Sequence, residues 1–151
     1  AEIKARAAST ESGLAALADD SGLVIPVLGG DPGIFSARWA LSSNGSFSDF
    51  GLATRKIKRA IEKTGLAPEK QEASFVCALS LCWPDGVVVS FEGIISGSLT
   101  FPPRGNKGFG YDPIFIPKNH QLTFGEMNHT KKHQISHRAR AFKQLIGHCF
   151  S

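Results

Sequence analysis

The chain has 151 residues, 42% hydrophobic and 20% charged, a balance that suits one globular domain burying roughly 70% of its unfolded surface and excludes a disordered, collagen-like or disulfide-scaffold chain. No apolar run approaches the roughly 20 residues of a membrane span; the longest, Leu23 to Leu28, is interrupted by Pro26, and no secretory signal is read at the start, so a cytoplasmic protein without a membrane partner is expected. Seventeen Lys and Arg against thirteen Asp and Glu leave a formal charge of +4, which favours anionic partners.

In chain order, Ala1 to Ala8 read as helix without a start signal, because no capping residue precedes them. Leu14 to Ala18 read as a strand closed by an acidic turn, Asp19-Asp20-Ser21-Gly22, and Leu23 to Leu28 as a second strand or short helix stopped by Gly29 and Gly30. Leu52 to Lys63 puts Leu52, Ile57, Ala60 and Ile61 near helical spacing, with Gly65 as its stop and Arg55, Lys56, Lys58, Arg59 and Lys63 as a solvated face. Ser74 to Trp83, the turn Pro84-Asp85-Gly86 and Val87 to Ile95 give the clearest hairpin. Ser136 can cap a last helix with Ala139, Phe142, Leu145 and Ile146 as its apolar stripe. Strands and helices mix without repeats or a linker, which reads as one α/β domain. Cys77 and Cys82 face opposite sides of one strand, so no bridge is expected between them, as suits a reducing compartment.

Three motifs can carry chemistry. Adjacent carboxylates on an extended chain point to opposite sides, so only one of Asp19 and Asp20 can face a given site, and the other is structural. A carboxylate at a strand end beside a glycine suits binding Mg²⁺ or orienting a water against a phosphate; an ordinary acidic turn is the alternative. Gly105 to Pro113 sets Gly105, Gly108 and Gly110 around Phe109, Tyr111 and Asp112, a loop able to approach a flat ligand with a ring free to stack. It lacks the ending of a P-loop, and its aromatics could instead simply enter the core. Lys132 with Ser136-His137-Arg138 gathers donors at a helix start, suited to phosphate or a carbonyl oxygen, against the alternative of a solvated basic helix end. His129, His133 and His137 would line one face of a single helix and could hold zinc, but Ser136 as a cap argues that a new helix starts there.

Ala18-Asp19-Asp20-Ser21-Gly22-Leu23, Val27-Leu28-Gly29-Gly30-Asp31-Pro32-Gly33-Ile34-Phe35-Ser36-Ala37-Arg38-Trp39, Gly108-Phe109-Gly110-Tyr111-Asp112-Pro113-Ile114-Phe115 and the Lys132, Ser136-His137-Arg138 set follow one another in an order and at separations that resemble the inosine/xanthosine triphosphate pyrophosphatases, the Ham1-like family, over nearly the whole chain. The resemblance implies a central mixed β-sheet flanked by helices, with a substrate cleft between two lobes, in a single domain over 1–151. It also implies a homodimer that uses Mg²⁺ to split ITP, dITP or XTP between the α and β phosphates, giving the monophosphate and pyrophosphate. Residue by residue, Asp20 matches the catalytic acidic position, as metal ligand or proton acceptor, and Ser21 a substrate contact. Phe109, Gly110, Tyr111 and Asp112 match the base-binding loop, and Lys132, His137 and Arg138 the contacts to phosphate and the purine oxo edge, while Asp19 stays structural. The family's Thr-x-Asn-x-x-Lys loop and metal-binding Glu-Asn-Ala segment are not seen; Ala1 matches the last residue of the latter, so Glu2 is not that ligand and the domain is expected to be N-terminally incomplete. A non-catalytic nucleotide- or nucleic-acid-binding fragment of the same fold is the alternative.

Overall fold

The computed structural model describes residues 1–151. Helix α1 (Glu2–Ser12) ends at Gly13, whose positive φ lets its amide donate to the Ser9 carbonyl. Its buried residues are Ala5 and Ser9, small enough for the helix to lie close on the sheet. Strand β1 (Ala16–Val24) follows. The acidic turn expected inside it is absent: Asp19, Asp20, Ser21 and Gly22 pair in register with Leu79, Ala78, Cys77 and Val76. A full antiparallel ladder against a long apolar strand outweighs the turn preference of Asp and Gly. Pro26–Leu28 is a single 3₁₀ turn, followed by another at Gly33–Phe35 and by the short helix α2 (Ser36–Trp39).

Helix α3 (Phe50–Lys63) is capped by Asp49, whose carboxylate accepts from the Leu52 amide at 3.0 Å. It buries Ala53, Thr54, Ile57 and Ile61 and leaves its cations outside, as its spacing predicts. The expected hairpin is β2 (Glu72–Cys82) and β3 (Val88–Leu99), with Phe75 opposite Ile95 and Leu81 opposite Val89. Strand β4 (Phe115–Pro117) adds to β3, and the chain closes with α4 (His129–Ile135) and α5 (His137–Cys149). The α/β class is observed. The sheet order is β1-β2-β3-β4 and every ladder joining these strands is antiparallel, where the family resemblance implies a mixed sheet.

One face of β2 (Ala73, Phe75, Cys77, Leu79 and Leu81) is buried. Its first half joins Leu23, Ile57, Ile61, Phe115 and Phe124 in the larger core, and its second half packs on Ala141 and Leu145 of α5. Each of the fully buried large side chains contributes about 1.5–3 kcal/mol. The stripe expected on α5 is therefore rotated: His137, Ala141 and Leu145 face the sheet, while Phe142 and Ile146 are 48% and 42% exposed. The reason lies in β3, where a side chain at Gly93 would run into the backbone of His137 and Ala141, so a glycine there lets α5 lie directly on the sheet. Arg140 and Gln144 then donate to the Ile94 and Glu92 carbonyls, each at 2.7 Å, covering the part of the β3 edge that the short β4 leaves open. All three cysteines are free.

Candidate active site

A cleft of about 140 Å³ opens between β1 on one side and α2, α3 and the glycine loop on the other, lined by Gly22, Phe50, Phe75, Phe109, Tyr111 and His137 among others. It shares Ser21 and Gly22 with a cavity of about 320 Å³ at Asp20, and Phe109 and His137 with one of about 160 Å³ at Lys132 and Arg138. The middle cavity is small against the 300–1,000 Å³ of ordinary ligand sites. Each cavity thus adjoins the next through shared lining residues, with the Asp20 carboxylate in the first and the Lys132 and Arg138 cations in the last.

The pleat of β1 sorts the two carboxylates to opposite faces, as two adjacent residues of a strand require. Asp20 lies on the α1 side, 57% exposed, where Oδ1 accepts from Lys4 Nζ at 2.8 Å. The Lys4 hydrogen bond is the main reason its carboxyl titrates below the ordinary range. Asp19 points to α5 and meets Arg138, with Nε–Oδ2 at 2.5 Å. Burial raises its pKa, and the guanidinium's hydrogen bond and charge more than reverse this, so the net shift is downward. Ser21 Oγ donates to Asp19 Oδ1 at 3.0 Å and accepts from Arg138 Nη2 at 3.3 Å. Burial pushes up the thiol of neighbouring Cys77.

The two aromatics of the glycine loop part company. Tyr111 takes the core alternative: it is 3% exposed, meets Phe50 edge to face at 5.2 Å, and its hydroxyl donates to the Ser36 carbonyl at 2.6 Å. Burial alone raises its pKa. Phe109 stays 63% exposed, with Lys132 Nζ 4.9 Å and Arg138 Cζ 5.4 Å from its ring centroid. Asp112 holds the loop, its buried Oδ2 accepting from Lys132 Nζ at 2.5 Å and from the Phe109 amide at 3.0 Å. Gly108 turns with φ 70°, and a side chain there would strike that carboxylate, so the turn needs glycine. Gly110 approaches the Phe50 ring.

Ser136 ends α4 and caps α5, accepting from the Ala139 amide at 3.2 Å. The three histidines of the zinc alternative thus fall on two helices, with His129 and His133 outward on α4 and His137 buried at the start of α5. No group of three or more His, Cys, Asp or Glu side chains is placed to hold a metal by protein ligands alone. The His137 ring stacks on Phe75 at 4.8 Å and is 5% exposed. Burial, with Arg138 and Lys132 nearby, drives its pKa to about 4, so it is neutral at pH 7. Its Nδ1 is buried without a hydrogen-bond partner, a state costing about 1–3 kcal/mol.

Sequence reasoning missed Gly93, Phe50, Phe75 and Ser36. An isolated glycine inside a strand is a signal of close backbone approach that was there to be read. Phe50 and Phe75 carry no such mark, and their place in the cleft is purely tertiary; Ser36 stands in the Val27-to-Trp39 motif, where nothing assigns it a role.

The family model of the Ham1 family matches residues 1–148. The chain belongs to the Ham1 family. It is 54% identical over 151 residues to the dITP/XTP pyrophosphatase of Rhodospirillum centenum, covering 100% of this chain and 72% of that protein. It is 53% identical over 143 residues to the dITP/XTP pyrophosphatase of Caulobacter vibrioides, covering 95% of this chain and 71% of that one. Among solved structures, a Ham1 protein from Coxiella burnetii superposes with a TM-score of 0.85 at 39% identity, covering 96% of this chain and 72% of the other. The Staphylococcus aureus Ham1 protein gives 0.80 at 36% identity, covering 96% and 71%.

Proposed function

We propose that this Ham1-family chain hydrolyses the triphosphates of deaminated purines, ITP, dITP and XTP, to the monophosphate and pyrophosphate, and so clears them from the nucleotide pool. The observation that carries the reading is the pair of cations around the cleft, Lys132 and Arg138, beside the exposed Phe109 ring and the neutral, buried His137. Lys and Arg only donate, and the 6-oxo group of these purines accepts where adenine's amino group donates. Adenine would set its own amino donor against these cations, which is what makes such a site selective. Phe109 stacks the base, Gly110, Tyr111 and Asp112 shape and hold the loop around it, and Ser21 contacts the substrate between base and phosphates.

In the reaction a water oxygen bonds to the α-phosphorus as the α–β bridge breaks, and pyrophosphate leaves with the bridging oxygen. Asp20, at the rim of the larger cavity, is the group that orients this water and takes its proton. One carboxylate with phosphate oxygens and waters is the usual set for Mg²⁺, and Asp20 is a hard oxygen donor of that kind, so the residues fit an ion carried on the substrate. Mg²⁺ bound there would neutralise the phosphates. The same reading takes 1–151 as one domain of a cytoplasmic homodimer; no helix is long and apolar enough to cross a membrane. The test is product analysis with ITP, XTP and ATP in the presence of Mg²⁺. Pyrophosphate is expected, with ITP preferred to ATP by about tenfold or more in kcat/KM. Orthophosphate as the product, or equal use of ATP, would sink the reading.

A further inference from the structure

We propose that Asp19 is a positioning residue: through its ion pair it fixes the Arg138 guanidinium against the Phe109 ring and so sets the preference for oxo-purines. The inference deepens the proposed function and rests on it. Arg138 is the first arginine of α5 and Asp19 lies in β1, 119 positions away in sequence, so the pair ties the helix that carries the cation to the sheet. Its geometry is a fork. Nε meets Oδ2 at 2.5 Å, Nη2 meets Oδ1 at 3.5 Å, and Nη2 also reaches Ser21 Oγ at 3.3 Å, while Ser21 Oγ donates back to Oδ1 at 3.0 Å.

An arginine on a helix surface ordinarily samples many rotamers, and ordering such a side chain costs conformational entropy. Here the carboxylate and hydroxyl hold one edge of the guanidinium plane and leave Cζ 5.4 Å from the Phe109 centroid, beside the cavity shared by Lys132 and His137. The other cation on that ring is held in the same way, Lys132 by buried Asp112 at 2.5 Å. Phe109 thus has two cations near its ring, each tied by its own carboxylate. The Asp19 pair is about one-third exposed on both sides, which limits what it adds to stability. What it fixes is direction.

The alternative is that Asp19 only staples α5 to β1. Binding of ITP and ATP is measured by calorimetry without divalent metal on the wild type, Asp19→Ala, Arg138→Ala and the double variant. If Asp19 acts through Arg138, each single change lowers the ITP-over-ATP preference by about tenfold and the double variant loses no more than Arg138→Ala. A preference intact in Asp19→Ala, or losses that add in the double variant, overturns the inference. Asp19→Asn keeps an acceptor for the guanidinium, so it folds where Asp19→Ala fails to, and its preference must lie between wild type and Arg138→Ala. A nuclear magnetic resonance reading separates this inference from the function it rests on: the Arg138 Nε–H signal should exchange slowly in wild type and be lost in Asp19→Ala. A wild type without preference for ITP would refute the function, whereas an Arg138 signal unchanged in Asp19→Ala refutes the positioning role.

Discussion

His137 makes stability depend on pH in a direction that follows from its surroundings. In the unfolded chain its imidazole has the ordinary pKa of 6.5, and in the folded chain about 4, because burial and then the Arg138 and Lys132 charges disfavour the imidazolium. Between those values the unfolded state binds the proton and the folded state refuses it. The contribution is therefore complete above about pH 6.5 and is lost progressively as the pH falls towards 4. At roughly 1.4 kcal/mol per tenfold change in proton affinity, the full displacement corresponds to about 3 kcal/mol. The assay is urea denaturation of wild type and His137→Phe at several pH values from 7.5 to 4.5, a range that ends above the carboxyl pKa values of Asp19 and Asp20. Phenylalanine keeps a ring against Phe75 and removes the titration. Wild type should lose about 2 kcal/mol or more across this range, and the variant clearly less. Parallel loss in both proteins would mean that His137 is not held neutral, and the argument for its role as an unpaired hydrogen-bonding group in the cleft would fall with it.

Asp20→Asn should lower turnover at least about 100-fold with the melting temperature unchanged, since the carboxylate is more than half exposed; steady-state pyrophosphate release and a thermal scan check both. Asp112→Ala strips Lys132 and the Phe109 amide of their buried acceptor and should cost about 3–5 kcal/mol by denaturant titration, the usual penalty for breaking a buried pair. Gly93→Ala forces α5 off β3 and should cost about 1–3 kcal/mol, read as a fall of roughly 2–4 °C in Tm per kcal/mol together with weaker ITP binding. Gly147→Ala is its control, because a side chain at that helical position meets nothing within 4 Å and should leave stability equal or higher by up to about 1 kcal/mol.

What could be read from the sequence was what local chemistry decides. The β2–β3 hairpin declares itself by alternation and the Pro84-Asp85-Gly86 turn, α3 by its spaced isoleucines, and α5 by the Ser136 cap. Strand β1 escaped because Asp19 to Gly22 prefer a turn by themselves, and only the nine-residue ladder with β2 makes them extended. The rotation of α5 escaped because Gly93, far away in sequence, decides which face can touch the sheet. In the cleft, motif order singled out Asp20, the glycine loop, Lys132, His137 and Arg138. Spacing alone left open whether Phe109 and Tyr111 stack on a ligand or enter the core, and it is the Ser36 carbonyl, with its 2.6 Å hydrogen bond, that draws Tyr111 inward and leaves Phe109 at the surface.

The placement of the two adjacent carboxylates depends on a single choice of register. A slip of β1 by one residue against β2 would exchange their faces, presenting Asp20 to Arg138 and Asp19 to Lys4. Nothing in the pair itself prevents this, since each position would still meet a cation. The lock lies two residues beyond Ser21. Leu23 shares the Asp19 face, is fully buried in the larger core, and its amide donates to Ser36 Oγ at 2.9 Å. Next to it, a side chain at Gly22 would meet the Gly33 carbonyl, so this position can only be the glycine. Slipping would expose Leu23, at a cost of about 1.5–3 kcal/mol, and drive a side chain into the 3₁₀ turn at Gly33. The register that sends Asp20 to the larger cavity and Asp19 to Arg138 is therefore set by Gly22-Leu23, and the chemistry of Asp19-Asp20 follows from the packing of the two residues after Ser21.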